Sequence, residues 1–390
     1  MIYWRSNLLP LYVCCVVVLA LAAPAPAQSP SDALAFEQQG NFAEAARIWQ
    51  AVVQHNPRDA AAFASLGLDL ARQQKYAEAV PAYQKALALN PHLPGIQLDL
   101  GLAEFKQGHF QTAIAPLSAA LTADPRSDQA RTLLGMSYYG AHRFSEAANV
   151  LRPASDADPL NLELRQILAQ SCLSAKQYSC AAHEFKKIVQ QNPDSAAAHR
   201  LTGEALDGLY KTDDAIAEFE TAAKLAPQEP NVHFGLGYLY WEKKRYTDAE
   251  REFKAELALD PKHAQALAYL GDISLKNNDL DSAKQFLQQS TSLQKDLRIA
   301  YLDLGNVLMQ QEHYQEAIAA FKNAEELNPN EPDAPYRLGR IYAKMGNSQL
   351  AAQEFAKVKK LHKQKDEAVS LVMPKTQTPA SMAAPPKDAK

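Results

Sequence analysis

The chain is short of the residues from which catalytic and redox sites are built. Only four of its 390 residues are cysteine, and two of these, Cys14 and Cys15, fall within the first 27 positions. No C-x-x-C follows them, nor any G-x-S-x-G, P-loop or H-E-x-x-H; His183-Glu184 lacks the second histidine that a zinc-binding helix needs. Neither sign of charge prevails, with 40 lysines and arginines against 44 aspartates and glutamates and a net charge of -4. Both signs are interspersed, so there is no basic stripe to neutralise phosphates, and nucleic acid is not an expected partner. Beyond Ala23 no apolar run approaches the ~20 residues that span a bilayer. Glycine is sparse, at 15 residues. What fills the chain is alanine alternating with Glu, Gln, Lys and Leu, residues that lose little entropy in a helix.

The first 27 residues stand apart. Arg5 is the only charge before Asp32, and an apolar stretch from Leu8 to Ala23, broken once by Pro10, ends in Ala25-Pro26-Ala27. That layout predicts a signal peptide over 1–27, cleaved after Ala27, and hence a periplasmic or secreted protein. An uncleaved anchor is the alternative. Val13 is too large for the residue before a lipidated cysteine, which argues against Cys14 as an attachment point. Cys172 and Cys180 are then the only cysteines of the exported chain.

From there the sequence keeps time. Prolines stand at 57, 91, 125, 159, 193, 227, 261 and 329, always 34 residues or twice 34 apart, with Lys295 in the vacant place. Counting Ala60 as position 1, position 20 is alanine in all ten units, from Ala45 to Ala351, and position 8 is glycine in eight. Position 24 is always bulky, as in Tyr83, Phe219 and Phe253. Positions 4, 7, 8 and 11 share one face of a first helix, A, while 20, 24 and 27 share a face of a second, B. Small residues at 8 and 20 let the two helices approach closely, and proline at 32 ends helix B. An aromatic residue at position 17, such as Phe110, Phe144 or Tyr246, is expected to fix the A/B turn.

The series Leu236-Gly237, Tyr240, Ala249, Phe253 and Pro261 carries a spacing that resembles the tetratricopeptide repeat. The resemblance recurs ten times in phase across about 28–363. It implies an all-α, right-handed solenoid of about ten 34-residue helix-turn-helix repeats, its concave face lined by the A helices. It further implies a protein or peptide ligand held in that groove; with no catalytic signature in the sequence, neither enzyme activity nor a cofactor is expected. The repeats are expected to fill 28–365, a short capping helix 366–373, and a disordered tail 374–390. Repeat one is truncated, with Ser31 expected as N-cap and a stop near Gly40. Glu256, where alanine is usual, and Lys295, where proline is usual, predict a soft joint or a helix running on across it.

Positions 2, 5, 9 and 12 of helix A form its second face, where a partner would lie. The third and fourth repeats offer Phe105, Met136 and Tyr139 there, and the sixth is polar, with Arg200 and Glu204. The seventh presents Phe234, Tyr238 and Trp241 at i, i+4 and i+7, and the ninth Asn306 and Met309. Aromatic and methionine side chains at exposed positions suit peptide capture; the alternative is that they pack between repeats. Ala268 holds the equivalent face of repeat eight, where a change to serine should barely matter. Cys172 and Cys180 face each other on one hairpin, as a disulfide or as two small core thiols. Asn277, Asp279 and Asp281 alternate like calcium ligands, but Ser282 and Gln288 replace the needed glycine and glutamate, so no metal is expected. Lys357, Lys359, Lys360, Lys363 and Lys365 read as charges offsetting a helix C-terminus.

These readings describe an exported scaffold or adaptor for a protein partner, with a place in assembly of an envelope complex. The alternatives are a glycan- or peptidoglycan-binding protein, or a non-catalytic subunit of an exopolysaccharide-export or glycosyltransferase system. The sequence is silent on oligomeric state.

Overall fold

The computed structural model describes residues 29–372, which form twenty helices and, among the described residues, no strand. The segment 1–27, expected to be a signal peptide, and the expected tail 374–390 lie outside the described residues. The chain divides into two compact units at Ser171/Cys172. In a repeat array each unit touches only its neighbours, so compactness is local. The first unit holds α1 (Pro30–Gln38), α2 (Phe42–His55), α3 (Ala60–Arg72), α4 (Tyr76–Leu89), α5 (Ile96–Lys106), α6 (Phe110–Ala123), α7 (Asp128–Gly140) and α8 (Phe144–Ala157). The division falls inside α9 (Leu162–Ser174). The second unit continues with α10 (Tyr178–Gln191), α11 (Ala196–Asp207), α12 (Thr212–Leu225), α13 (Val232–Glu242), α14 (Tyr246–Leu259) and α15 (Ala264–Lys276). It closes with α16 (Leu280–Leu293), α17 (Arg298–Gln310), α18 (Tyr314–Leu327), α19 (Asp333–Lys344) and α20 (Ser348–Val372). Odd-numbered helices are the A helices and even-numbered ones the B helices.

The landmark positions do the packing their sizes suggest. Every position-20 alanine from Ala45 to Ala317 is fully buried. A Cβ on Gly237 would sit 2.9 Å from the Phe253 ring, and one on Gly67 would sit 2.7 Å from that of Tyr83. The bulky residue of helix B thus lies directly on the glycine of helix A, and only a bare backbone admits it. Phe355 makes the same contact in the last repeat yet stays 38% exposed.

The position-17 rings reach further than the turn they were expected to fix. A Cβ on Gly140 would lie 2.4 Å from the ring of Phe110, and one on Gly208 would meet Tyr178 equally closely. Elsewhere the same place holds a cation over the ring, Arg72 on Phe42 and Lys344 on Tyr314. These four rings therefore dock on the end of helix A in the following repeat, where they help tie one repeat to the next.

Most A helices start after position 34, the last of the preceding repeat. Asp59, Ser127, Asn161 and Ser195 each accept a hydrogen bond from the N–H three residues on, as N-caps do. In α1 the cap is Ser29, not the expected Ser31, because Pro30 fits the first helical position and Asp32 reaches back to the Ser29 N–H at 2.8 Å. No helix runs across the Lys295 junction. α16 ends at Leu293 with Gln294 extended (φ -134°, ψ 104°), so the break does not depend on proline. At the far end no proline or glycine interrupts α20, and 366–372 prolong it in place of a separate capping helix.

Candidate functional site

The side chains singled out on the A helices separate between the two units. In the first, Phe105 meets Phe110 edge-on at 5.6 Å and packs toward Leu117 and Leu134. Tyr139 donates its hydroxyl to Gln170 at 3.0 Å and lies against Phe144. Both contacts are packing between neighbouring elements. Met136 is half-buried on the same helix as Tyr139.

The second unit gathers more. Phe234, Tyr238 and Trp241 lie along α13, and all three are half-buried. They converge on Tyr269 of α15, with ring centroids 6.1, 5.7 and 5.0 Å away. Phe253 stacks on the inner side of Tyr269 at 5.3 Å with an interplanar angle of 8°. Five rings thus form one cluster with Tyr269 at its hub. Beside it opens a recess of about 240 Å³, lined by Phe234, Tyr238, Gln265, Ala268, Tyr269, Leu297 and Ile299. Ala268 is not the free surface position expected of it. Its side chain is 1% exposed and belongs to the core with Leu287, Ala300 and Leu302, since the next A helix, α17, covers it.

A polar chain runs from this cluster along successive A helices. Trp241 donates Nε1–H to Asp272 at 2.6 Å, and Lys276 pairs with the same buried carboxylate. The Lys276 ammonium also lies 5.6 Å from the Trp241 ring centre. Asp303, next along, accepts a hydrogen bond from Asn306 at 3.3 Å. Burial first and then the neighbouring Asp272 push the Asp303 carboxyl up to about 7, with Lys276 and Arg337 acting the other way. Met309 packs against the core of these last repeats.

At the other edge of the cluster Tyr238 donates its hydroxyl to Glu242 at 3.2 Å. Burial and the Glu242 charge raise this phenol to about 12. Burial and the same Glu242 raise Asp207 above the ordinary carboxylate value. Arg200 is occupied by Glu204 and Lys243 by Asp213. No lysine or arginine pairs with Asp207 or Glu242 among the described residues.

The hub Tyr269 and the carboxylates Glu242 and Asp303 lie off positions 2, 5, 9 and 12 of their helices, and Asp272, at position 9, was not singled out. The available signal was position 6, where tyrosine occurs only in repeat eight. Cys172 and Cys180 are bonded in this structure, their Cα atoms 5.8 Å apart. Asp279 caps α16 through the Ser282 N–H, and Asp281 accepts a hydrogen bond from Gln311. The C-terminal lysines make ion pairs: Lys357 with Glu325 and Glu354, Lys365 with Glu331, and Lys363 with Glu367.

A family model described as tetratricopeptide repeat matches residues 32–94, 65–128, 98–159, 208–261 and 234–292. Related repeat models match 138–205, 305–346 and 333–365. No curated protein matches the chain. Among solved structures, the APC/C hetero-tetramer Cut9–Hcn1 is similar at 14% identity, over 88% of this chain and 89% of that one, with a TM-score of 0.50. YrrB, described as a TPR protein with an unusual peptide-binding site, is 24% identical over 49% of this chain and 97% of its own, with a TM-score of 0.41. Yeast Tom70 is 16% identical over 88% and 93%, with a TM-score of 0.40. Likeness at such identity speaks to the fold alone. Taken with the ten in-phase repeats and their glycine-on-aromatic packing, the family match leads to one conclusion: this chain belongs to the tetratricopeptide repeat family.

Proposed function

We propose that the chain is a non-catalytic scaffold that holds a protein or peptide partner on the A-helix face of its second unit. The observation that carries this reading is the half-buried cluster of Phe234, Tyr238, Trp241 and Tyr269 beside an open recess. Aromatic side chains so placed offer large contact area at little entropic cost, and they dominate protein interfaces where they occur. The export signature adds a compartment, the periplasm or the exterior, and with it a role in assembling an envelope complex. The test is co-purification of the tagged wild-type chain and Tyr238→Ala from the native envelope. A stoichiometric protein retained by the first and lost by the second supports the reading. Equal retention by both removes this face from the function, and a bound sugar polymer in place of a protein would replace the partner class.

A further inference from the structure

The recess on α13 and α15 has a chemical preference beyond being apolar. Its walls are rings, aliphatic side chains and the Gln265 amide, and just beyond it Glu242 is hydrogen-bonded to the Tyr238 hydroxyl, with Asp207 close enough to feel its charge. Neither carboxylate is ion-paired to a lysine or arginine among the described residues, while Arg200, Lys243 and Lys276 are engaged with other acids. The cluster already accommodates one ammonium group, that of Lys276 over the Trp241 ring. Aromatic faces attract cations through the ring quadrupole, and the attraction grows as water is excluded.

Building on the proposed partner-binding role, we propose that this recess takes a lysine or arginine side chain from an extended segment of a protein partner. The methylene stem lies against Phe234, Tyr238 and Tyr269, and the cationic head reaches Glu242 and Asp207. Long basic side chains bury their stems on apolar surface while keeping the charged end near polar groups, so one residue satisfies both halves of the site. An acidic segment is disfavoured, because it would add a third negative charge beside two carboxylates that already repel each other.

The experiment uses the chain from Gln28 onward and short capped peptides of otherwise neutral sequence, with arginine, lysine, norleucine or glutamate at the centre. Titration is followed by isothermal calorimetry at low and moderate salt. The arginine and lysine peptides are expected to bind about tenfold or more tightly than norleucine, and glutamate more weakly still. The advantage should shrink with salt and vanish in the Asp207→Asn/Glu242→Gln double variant, whose melting temperature is measured alongside to confirm folding. Equal affinity for lysine and norleucine would overturn the charge preference while leaving the groove itself in place. Failure of every peptide to bind would overturn the proposal. Retention of the envelope partner by Tyr238→Ala would remove the underlying reading as well.

Discussion

The carboxylate of Glu256, at the end of one B helix, accepts the backbone N–H of Phe234 at 3.0 Å. Its other oxygen takes the N–H of Asn231 at 3.3 Å. The repeat pattern places alanine at this position, and the structure gives the reason for the departure. Glu229 stands where other repeats carry a capping side chain, and Asn231 turns into the left-handed region (φ 64°), so α13 begins without a cap of its own. Glu256 supplies it from the neighbouring helix and thereby fixes the start of the helix that carries Phe234, Tyr238 and Trp241.

Glu256→Ala restores the family's usual residue and should nevertheless destabilise. It leaves two part-buried helix N-terminal donors without this partner, at a cost of about 1–3 kcal/mol. Urea unfolding followed by Trp241 fluorescence measures it. A variant as stable as wild type would show that the cap contributes nothing.

Trp241 and Tyr238 should separate when each is truncated. Trp241 gives its N–H to Asp272 and its ring to Tyr269, so Trp241→Ala removes packing between two repeats. The expected loss is about 2–4 kcal/mol, the range for large-to-small changes at a partly buried site. Tyr238 borders the recess, and Tyr238→Ala should weaken the partner more than the fold. Melting temperature and affinity measured on both variants check the split; parallel losses would dissolve it.

The division between what the sequence disclosed and what it hid runs along these residues. Periodicity reports what repeats do alike, so glycine at position 8 and alanine at position 20 were legible, and with them the hairpin and its core. The aromatic residues of α13 were legible as well, because they share one helical face. Tyr269 and Asp272 each occur once at their positions, together on α15, and their meeting with α13 depends on how one repeat leans on the next. Glu256 was visible only as an exception. Its purpose needed the missing cap on α13, which lies 22 residues earlier than the glutamate as measured at Phe234. Lys295 misled for a related reason: proline enforces a break, but the packing of α17 suffices to keep one.

Tyr210 sits in an A/B turn at φ 59° with its side chain 94% exposed. A residue with a Cβ is strained there, whereas Gly40, Gly108 and Gly346 occupy the same turn position without that penalty. Tyr210→Gly should raise stability by about 0.5–1 kcal/mol despite the loss of a large side chain. Denaturant midpoints decide it, and a drop would reveal a contact made by the ring.

Cys172 and Cys180 close a loop with a sequence separation of 8. Maleimide labelling of the denatured, unreduced chain from Gln28 onward should find no free thiol. Reduction should cost about 2–3 kcal/mol in the chain-entropy description. Two labelled thiols per chain would end this expectation and with it one argument for an oxidising compartment.

The second unit should lose stability as pH rises through neutrality, and so should the first. Asp303 in one and Asp69 in the other are both held up to about 7, against an ordinary value of 3.8, with burial as the leading cause. Asp69 is 1% exposed, one of its carboxylate oxygens has no partner, and the Glu37 charge adds to the effect while Arg72 opposes it. Below the unfolded value both states are protonated, and the folded chain carries no penalty. Between that value and about 7 the folded state keeps a proton that the unfolded chain has released, so stability falls steadily with pH. Above that range the carboxylate is charged in both states and the penalty is complete. The carboxyls held low by partners, such as Asp248 beside Arg245 and Asp279 at its cap, act in the opposite direction, and their contribution is lost only in stronger acid. Across about pH 5 to pH 8 the raised groups therefore set the sign, with a loss on the order of 1–3 kcal/mol for each of the two aspartates. Asp69→Asn and Asp303→Asn keep the shape and remove the titration, so each should flatten the profile and gain stability most at the alkaline end. Urea midpoints at pH 5, 6, 7 and 8 for wild type and both variants provide the measurement. A wild-type profile that rises over that range, or variants that merely shift it downward at every pH, would show that neither carboxyl holds its proton in the folded chain.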